Sequence, residues 1–271
     1  MIRDITIGQY YPADSVIHKL DPRVKLFATV LYIVALFCFT GIVGLAVITA
    51  ALAAVIKLSK VPFKFMVKGL KAILVLLLIT SVFNLLFTSG DVVFWKWGPF
   101  QITDTGLINS ILMAIRLIYL ILGTSLMTLT TTPNQLTDGL EKSLSPLNKI
   151  HVPVHAIAMM MSIALRFIPI LIEETDKIMT AQMARGADFE SGNLIQKAKS
   201  MVPLLVPLFV SAFRRAEDLA MAMEARCYNG GEGRTKMKPL VYTKTDKLAY
   251  VIMFAFLALV IVLAIFVPFP Q

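Results

Sequence analysis

The chain has 271 residues, of which 57% are hydrophobic and 16% charged, and it carries a net charge of +9. Soluble domains average roughly 45–50% apolar and about 25% charged residues, so this is a diluted membrane composition, with only part of the chain expected in lipid. The positive balance does not indicate a nucleic-acid binder: the basic residues stand at the ends of apolar runs, where the positive-inside bias puts them, and not among clustered stacking aromatics.

Residues 1–25 read as a cytoplasmic arm broken by Pro12 and Pro22. No short apolar segment with a small-residue cleavage site precedes the first apolar run, so the first span is expected to direct insertion. Asp21-Pro22-Arg23 has the form of a helix start, with Asp21 capping and Pro22 at the first helical position. Arg23 and Lys25 are then expected to hold the span at the lipid headgroups. Leu26–Ile56 is one nearly uncharged block. As a single helix it is about 45 Å long against a hydrocarbon core of about 30 Å, so two short spans, Leu26–Phe39 and Ile42–Ile56, are expected with a tight turn at Thr40-Gly41; one steeply tilted helix is the alternative.

Lys57, Lys60, Lys64, Lys68 and Lys71 follow with no acid among them. They place this segment on the cytoplasmic side, and the last four share a helix face that either lies against anionic headgroups or acts only as a topology signal. Leu70–Phe87 is the next span, with Asn84 as its strong hydrogen-bonding group. Ser89–Asp104, with Trp95 and Trp97 and the single cation Lys96, fits the outer surface. Thr105–Thr132 spans again and contains Arg116, expected to face protein beside Asn84, Asn109 or a backbone carbonyl, as either a functional or a packing arginine.

From Thr132 to Lys247 there are 15 Lys+Arg and 12 Asp+Glu. That is too charged to span and too apolar to be disordered, so amphipathic helices are expected. A short helix is read at Thr137–Lys142. A long one runs from Val154 to Arg185 with a kink near Leu165–Pro169. Ala187–Lys199 is read as a polar break. A second long helix runs over Met201–Cys227, with a soft stripe at Ala212, Ala216, Leu219, Met223 and Cys227. Leu248–Val267 is the last span. The expected class is therefore all-α, a polytopic membrane protein of about five spans with long amphipathic coupling helices. Its parts are N-terminal spans at 1–132, coupling helices at 133–246 and a C-terminal span at 247–271.

One short signature occurs twice, 41 residues apart: Ala184-Arg185-Gly186 and Ala225-Arg226-Cys227. Each arginine closes a helix and precedes a breaker, with Gly186 and Asn229-Gly230 as the candidate C-caps. A cation at a helix C-terminus gains roughly 0.3–1 kcal/mol from the helix dipole, which alone explains either site. Two guanidiniums at helix tips are also suited to entering carboxylate-lined grooves in two-point fashion. Other patterns are weak. Cys38 and Cys227 form no CxxC pair and read as free thiols. His151 and His155 lack a third ligand, and Gly230–Thr235 lacks the spacing of a phosphate loop. No catalytic constellation, metal site or cofactor is expected.

The paired motifs, the tail Tyr228-Asn229-Gly230-Gly231-Glu232-Gly233-Arg234-Thr235 and the N-terminal Leu20-Asp21-Pro22-Arg23-Val24-Lys25 resemble the T component (EcfT) of energy-coupling-factor transporters, over essentially the whole chain. The departure is Cys227, where that family has glycine. The resemblance implies the non-catalytic membrane scaffold of an ABC-type importer for vitamins or metals in a prokaryotic cell membrane, with cytoplasmic coupling helices. It implies two partner ATPase subunits docked on Ala184, Arg185, Gly186, Ala225, Arg226 and Cys227, and an interchangeable membrane-embedded S component that binds substrate. Met159, Met160, Ile172, Met179, Leu219 and Met223 are the expected S-component contacts, on an adaptable apolar surface. A conventional ABC permease that binds substrate itself, and a secondary transporter, remain as alternatives; the first needs a polar cavity, and the second typically shows intramembrane carboxylates that the expected spans lack.

Overall fold

The computed structural model describes residues 10–38, 42–88, 93–97, 100–189, 193–230, 237 and 239–266. The expected turn at Thr40-Gly41, the glycine-rich tail Gly231–Thr235 and the last residues from Val267 lie outside the described residues. The chain divides into two compact units: one formed by Gly8–Gly139 with Leu240–Gln271, the other including Leu140–Pro239.

The first unit is a bundle of apolar helices. After a single turn, α1 (Val16–Lys19), come α2 (Pro22–Cys38), α3 (Ile42–Ser59), α4 (Phe63–Phe87), α5 (Asp104–Thr130) and, from the C-terminus, α10 (Lys244–Phe266). α2, α3, α4 and α10 are apolar all round, the pattern of helices that meet lipid or a fully buried core. Val75, Phe83, Val251 and Phe254 are exposed on α4 and α10, apolar surface that fits a bilayer and not water. α5 and α10 are long and apolar enough to cross a membrane, and α3 and α4 contain shorter apolar stretches. Between α4 and α5 the segment read as polar loop forms a hairpin, β1 (Val93–Trp97) and β2 (Phe100–Thr103), in antiparallel register with Trp97 opposite Phe100.

Two expected spans thus come from the first apolar block. α1 packs on α3 near Leu58, so α3 returns to the level at which α2 begins. α2 and α10 run parallel: the Phe27 ring lies 5.8 Å from that of Tyr250 and 5.7 Å from that of Phe254, and Ala35 is buried with Val260. α4 and α5 run antiparallel, with Ser81 Oγ 2.7 Å from Ser110 Oγ near one end and Met66 buried with Leu126 and Leu129 near the other. Small residues let these backbones approach. Gly123 is the tightest case: a Cβ there would enter the ring of Tyr32, whose hydroxyl donates to Tyr119 O at 2.9 Å.

The lysine segment departs from its expected form. Pro62 disfavours helix in Val61 before it and is itself extended (ψ 131°), so it caps α4, which starts at Phe63. Lys60 stands in a left-handed turn with φ 56° and is not on the face of Lys64; the side chains of Lys68 and Lys71 lie outside the described residues. Asn84 donates to Thr80 O of its own helix at 3.0 Å. Arg116 sits with its guanidinium 5.9 Å from the Phe37 ring centroid, a cation–π distance between α5 and α2.

Gly123→Ala is expected to lower the stability of the detergent-solubilised chain by about 1–3 kcal/mol, the usual range for overpacking. Thermal unfolding checks this, with Tyr32→Phe, which loses one hydrogen bond worth about 1 kcal/mol, as the milder control.

Candidate functional site

The Leu140–Pro239 unit contains the two long helices that carry the repeated signature. α6 (Pro133–Leu144) leads into it. It starts before the expected Thr137, because Thr132 and Gln135 cap each other: Gln135 N–H donates to Thr132 Oγ1 at 3.3 Å, and Thr132 N–H to Gln135 Oε1 at 3.2 Å. A 3-10 turn (Ser145–Ile150) follows, closed by left-handed His151. His155 then pairs through Nδ1 with Glu141 at 2.9 Å, so this histidine joins two helices.

α7 (Val154–Ala184) is one helix of 31 residues that continues through Pro169. Its first half is apolar enough for the whole helix to qualify by length and composition as a membrane span, alongside α5 and α10. The charges Glu173, Glu174, Asp176 and Lys177 come after the proline. The segment read as a polar break contains a further helix, α8 (Leu194–Ser200), whose Asn193 forms a capping box with Gln196. α9 (Val202–Glu224) completes the unit.

α7 and α9 pack in antiparallel sense. Glu174 of α7 receives the Ser211 hydroxyl and two bonds from Arg215, Nη2 at 2.7 Å and Nε at 3.2 Å. Eight residues further along α7, Gln182 Nε2 reaches back to Pro203 O at 3.4 Å, near the start of α9. The C-terminal ends of the two helices therefore point away from each other. At 1.5 Å per residue, Arg185 and Arg226 stand up to about 40 Å apart along the pair.

The two ends have the same backbone construction. At the first, Ala187 N–H donates to Gln182 O and Gly186 N–H to Met183 O, both at 3.0 Å. At the second, Tyr228 N–H donates to Met223 O at 3.0 Å and Cys227 N–H to Glu224 O at 2.8 Å. These are the six-to-one and five-to-two bonds of a Schellman cap, which needs a left-handed residue just past the helix. Gly186 takes it with φ 89° and Cys227 with φ 56°. Cys227, not the following Asn229-Gly230, is thus the terminator of α9, in the position that Gly186 holds on α7. The turn throws the preceding arginine outward. Arg185 and Arg226 are both exposed, and neither guanidinium has a hydrogen-bond or ion-pair partner among the described residues.

The expected apolar contact residues divide by exposure. Of Met159, Met160, Ile172, Met179, Leu219 and Met223, only Met160 is exposed; the other five are half-buried. Also exposed among the apolar residues are Met161 of α7 and Phe209, Phe213 and Met221 of α9. Periodicity marks an apolar face but does not separate the part used between α7 and α9 from the part left over.

A second constellation, in the bundle, was not anticipated. Arg23 and Lys25 do not reach headgroups. Asp21 caps α2, accepting from Arg23 N–H at 2.9 Å, and its carboxylate also takes Arg23 Nε at 3.0 Å and Nη2 at 2.8 Å. Lys25 is 6% exposed and donates to Thr130 O at 2.8 Å and His18 O at 3.1 Å. Asp246 of α10, 1% exposed, accepts from Asp21 N–H at 2.9 Å and from Thr243 N–H and Oγ1 at 2.7 and 2.6 Å. The reason is the supply of unpaired carbonyls and N–H groups at three neighbouring helix ends, which buried charges satisfy better than solvent does. The Asp-Pro-Arg start was legible; its partner 225 residues away was not.

Comparison with known proteins bears on these sites. The profile of the CbiQ family, described as cobalt transport protein, matches residues 13–237. A protein of Clostridium kluyveri named energy-coupling factor transporter transmembrane protein EcfT is 58% identical over 92% of this chain and 93% of its own length. Proteins of the same name from Ruminiclostridium cellulolyticum and Bacillus subtilis are 52% and 50% identical, over 97% and 91% of this chain and 98% and 93% of theirs.

Cys227→Gly is expected to stabilise the end of α9 by about 1 kcal/mol, and Gly186→Ala to destabilise the end of α7 by about 1–2 kcal/mol, because an added Cβ at Gly186 meets no other atom and only the left-handed backbone opposes it. Amide exchange in the two terminal turns measures both.

Proposed function

The chain belongs to the CbiQ family of transport proteins, as a transmembrane protein of the energy-coupling factor type, and from that membership we propose that it is the scaffold and energy-coupling subunit of an ATP-driven importer. Its own residues perform no chemistry. Two partner ATPase subunits bind and hydrolyse ATP, one on each arginine tip, and a membrane-embedded S component holds a vitamin or metal substrate. The observation that carries this reading is the pair of equivalent caps at opposite ends of the α7–α9 pair, each presenting an exposed guanidinium without a partner among the described residues. A planar guanidinium forms two parallel bonds to a carboxylate, so each tip suits an acidic groove. Two like sites facing opposite ways suit two like partners.

The mechanism follows from rigidity. Glu174 ties α7 to α9 through Ser211 and Arg215, so a displacement at either tip moves both helices. Met160 and the exposed Met161, Phe209 and Phe213 offer the S component a surface that re-packs without losing contact, since thioether and aromatic side chains adapt to a changing neighbour. The half-buried Met159, Ile172, Met179, Leu219 and Met223 support that surface from below.

Orientation is inferred from charge. Lys57, Lys60, Lys64, Lys244 and Lys247 belong to the end of the bundle where α2 and α10 begin and α5 finishes, opposite the β-hairpin. The positive-inside bias assigns that end to the cytoplasm of a prokaryotic cell. A substrate-binding permease is less well supported: the bundle contains a cavity of about 440 Å³, but Val24, Ala28, Leu52, Val55, Met127 and Phe256 line it, a setting for an alkyl chain and not for a polar solute.

Arg185→Glu and Arg226→Glu are each expected to weaken binding of one ATPase subunit by about 2–5 kcal/mol, the range for a buried charge pair, and the double change to abolish co-purification of both while the chain still inserts. Affinity purification from native membranes measures it. Undiminished recovery of ATPase subunits with the double variant contradicts the docking role.

A further inference from the structure

The chain leaves the membrane bundle after Gly139 and re-enters it at Leu240. Both places rest on the same three residues. Gly139 of α6 is buried against the first turn of α2, where an added Cβ would lie 3.0 Å from Pro22 Cβ and 3.3 Å from the Pro22 carbonyl carbon. Arg23 Nη2 donates to Leu240 O at 3.3 Å, and the same guanidinium stacks 3.8 Å over the Tyr242 ring. Asp21 holds that guanidinium with two bonds and gives its own N–H to Asp246, the residue that caps α10. Lys25, one turn on, fixes Thr130 O at the end of α5, just before the chain leaves.

We propose that Asp21-Pro22-Arg23, steadied by Lys25, is the pivot on which the coupling segment is mounted, and that Arg23 and Gly139 are positioning residues for energy transfer. This rests on the function proposed above. The covalent path from Arg185 or Arg226 to the bundle runs through the two chain crossings. With both crossings held on the N-terminal turn of α2, the load enters one helix end and not two independent ones. α2 and α10 run parallel and in ring-to-ring contact at Phe27, so they shift as a pair. Charge-assisted bonds among buried groups resist that load better than neutral bonds at an exposed joint. Prising Arg23 from Asp21 would leave a carboxylate 3% exposed without its main partner, which keeps the pivot shut during the stroke.

The test uses the purified complex with its ATPase subunits in proteoliposomes. The native thiol Cys38, exposed at the far end of α2, is labelled with an environment-sensitive fluorophore in a Cys227→Gly reference chain. Arg23→Gln and Gly139→Ala are compared with that reference, and Arg23→Lys serves as the conservative variant. Amide exchange is expected to rise about tenfold over residues 240–246 in Arg23→Gln and over 136–142 in Gly139→Ala. The ATP-induced fluorescence change at Cys38 is expected to fall roughly fivefold or more while ATP turnover stays within about twofold, with partial recovery in Arg23→Lys. Unchanged exchange at the crossings overturns the pivot. So does raised exchange with an undiminished Cys38 signal, or a signal that falls only in proportion to ATP turnover, the mark of a merely structural role. If no ATPase subunit accompanies the reference chain, the proposed function fails; the exchange comparison on the chain alone then decides whether one tripeptide holds both crossings.

Discussion

The bundle depends on a carboxylate that water hardly reaches. Asp246 accepts from the Asp21 backbone and twice from Thr243, while Asp21 binds Arg23 and Lys25 spans to Thr130 and His18. An ionised group left unpaired in such a place costs several kcal/mol, so this cluster forms completely or the helix ends separate. Its consequence is topological. It brings together the start of α2, the end of α5 and the start of α10, which are scattered over more than two hundred residues of sequence. Tyr11 N–H, donating to Leu129 O at 2.9 Å, adds the N-terminal arm to the same level. The opposite ends of these helices and the β-hairpin are left to the other side, and the apolar bodies between need only fill the hydrocarbon layer.

The helix pair solves a different problem with the backbone alone. A helix tip that must present one cation needs its last carbonyls satisfied without consuming that cation. The Schellman turn does this: the N–H groups of residues 186 and 187, and of 227 and 228, close the two helices, so neither guanidinium is drawn into capping. A thiol side chain in the left-handed region at Cys227 is a local strain that Gly186 avoids. That two helices of unlike sequence converge on one terminal geometry argues for a shared task more strongly than the letters Ala-Arg do.

Much of this was legible in the residues and some was not, for physical reasons. Long apolar runs announced the bundle, and the length of Leu26–Ile56 announced two helices, α2 and α3, because length against bilayer thickness is a local test. The paired motif was visible by repetition. Its cap was misplaced onto Asn229-Gly230, because sequence rules assign left-handed turns to glycine or asparagine before cysteine. The strands β1 and β2 and the helix α8 were missed, since elements of 4 to 7 residues are too short to carry a clear periodic signal. Arg23 and Lys25 were read as headgroup anchors because a cation beside an apolar run usually is one; only the distant Leu240 and Thr130 carbonyls turn them inward. Arg116 also lies 5.9 Å from the Phe37 ring centroid, a contact no spacing rule contains. The apolar stripe on α9 was real but shared with α7, and a single sequence does not say which neighbour an apolar face has.

What joins these parts is the claim that the two arginine tips are the places where ATP-driven motion enters the chain. The most direct measurement is site-specific crosslinking in native membranes from a photoreactive thiol reagent on Cys227, and in a second chain on Gly186→Cys with Cys227→Gly, both lacking Cys38. The account predicts an ATP-binding polypeptide attached at each tip, with the yield changing when nucleotide is added. Adducts to lipid alone, or to ATP-binding polypeptides at neither tip, would contradict it.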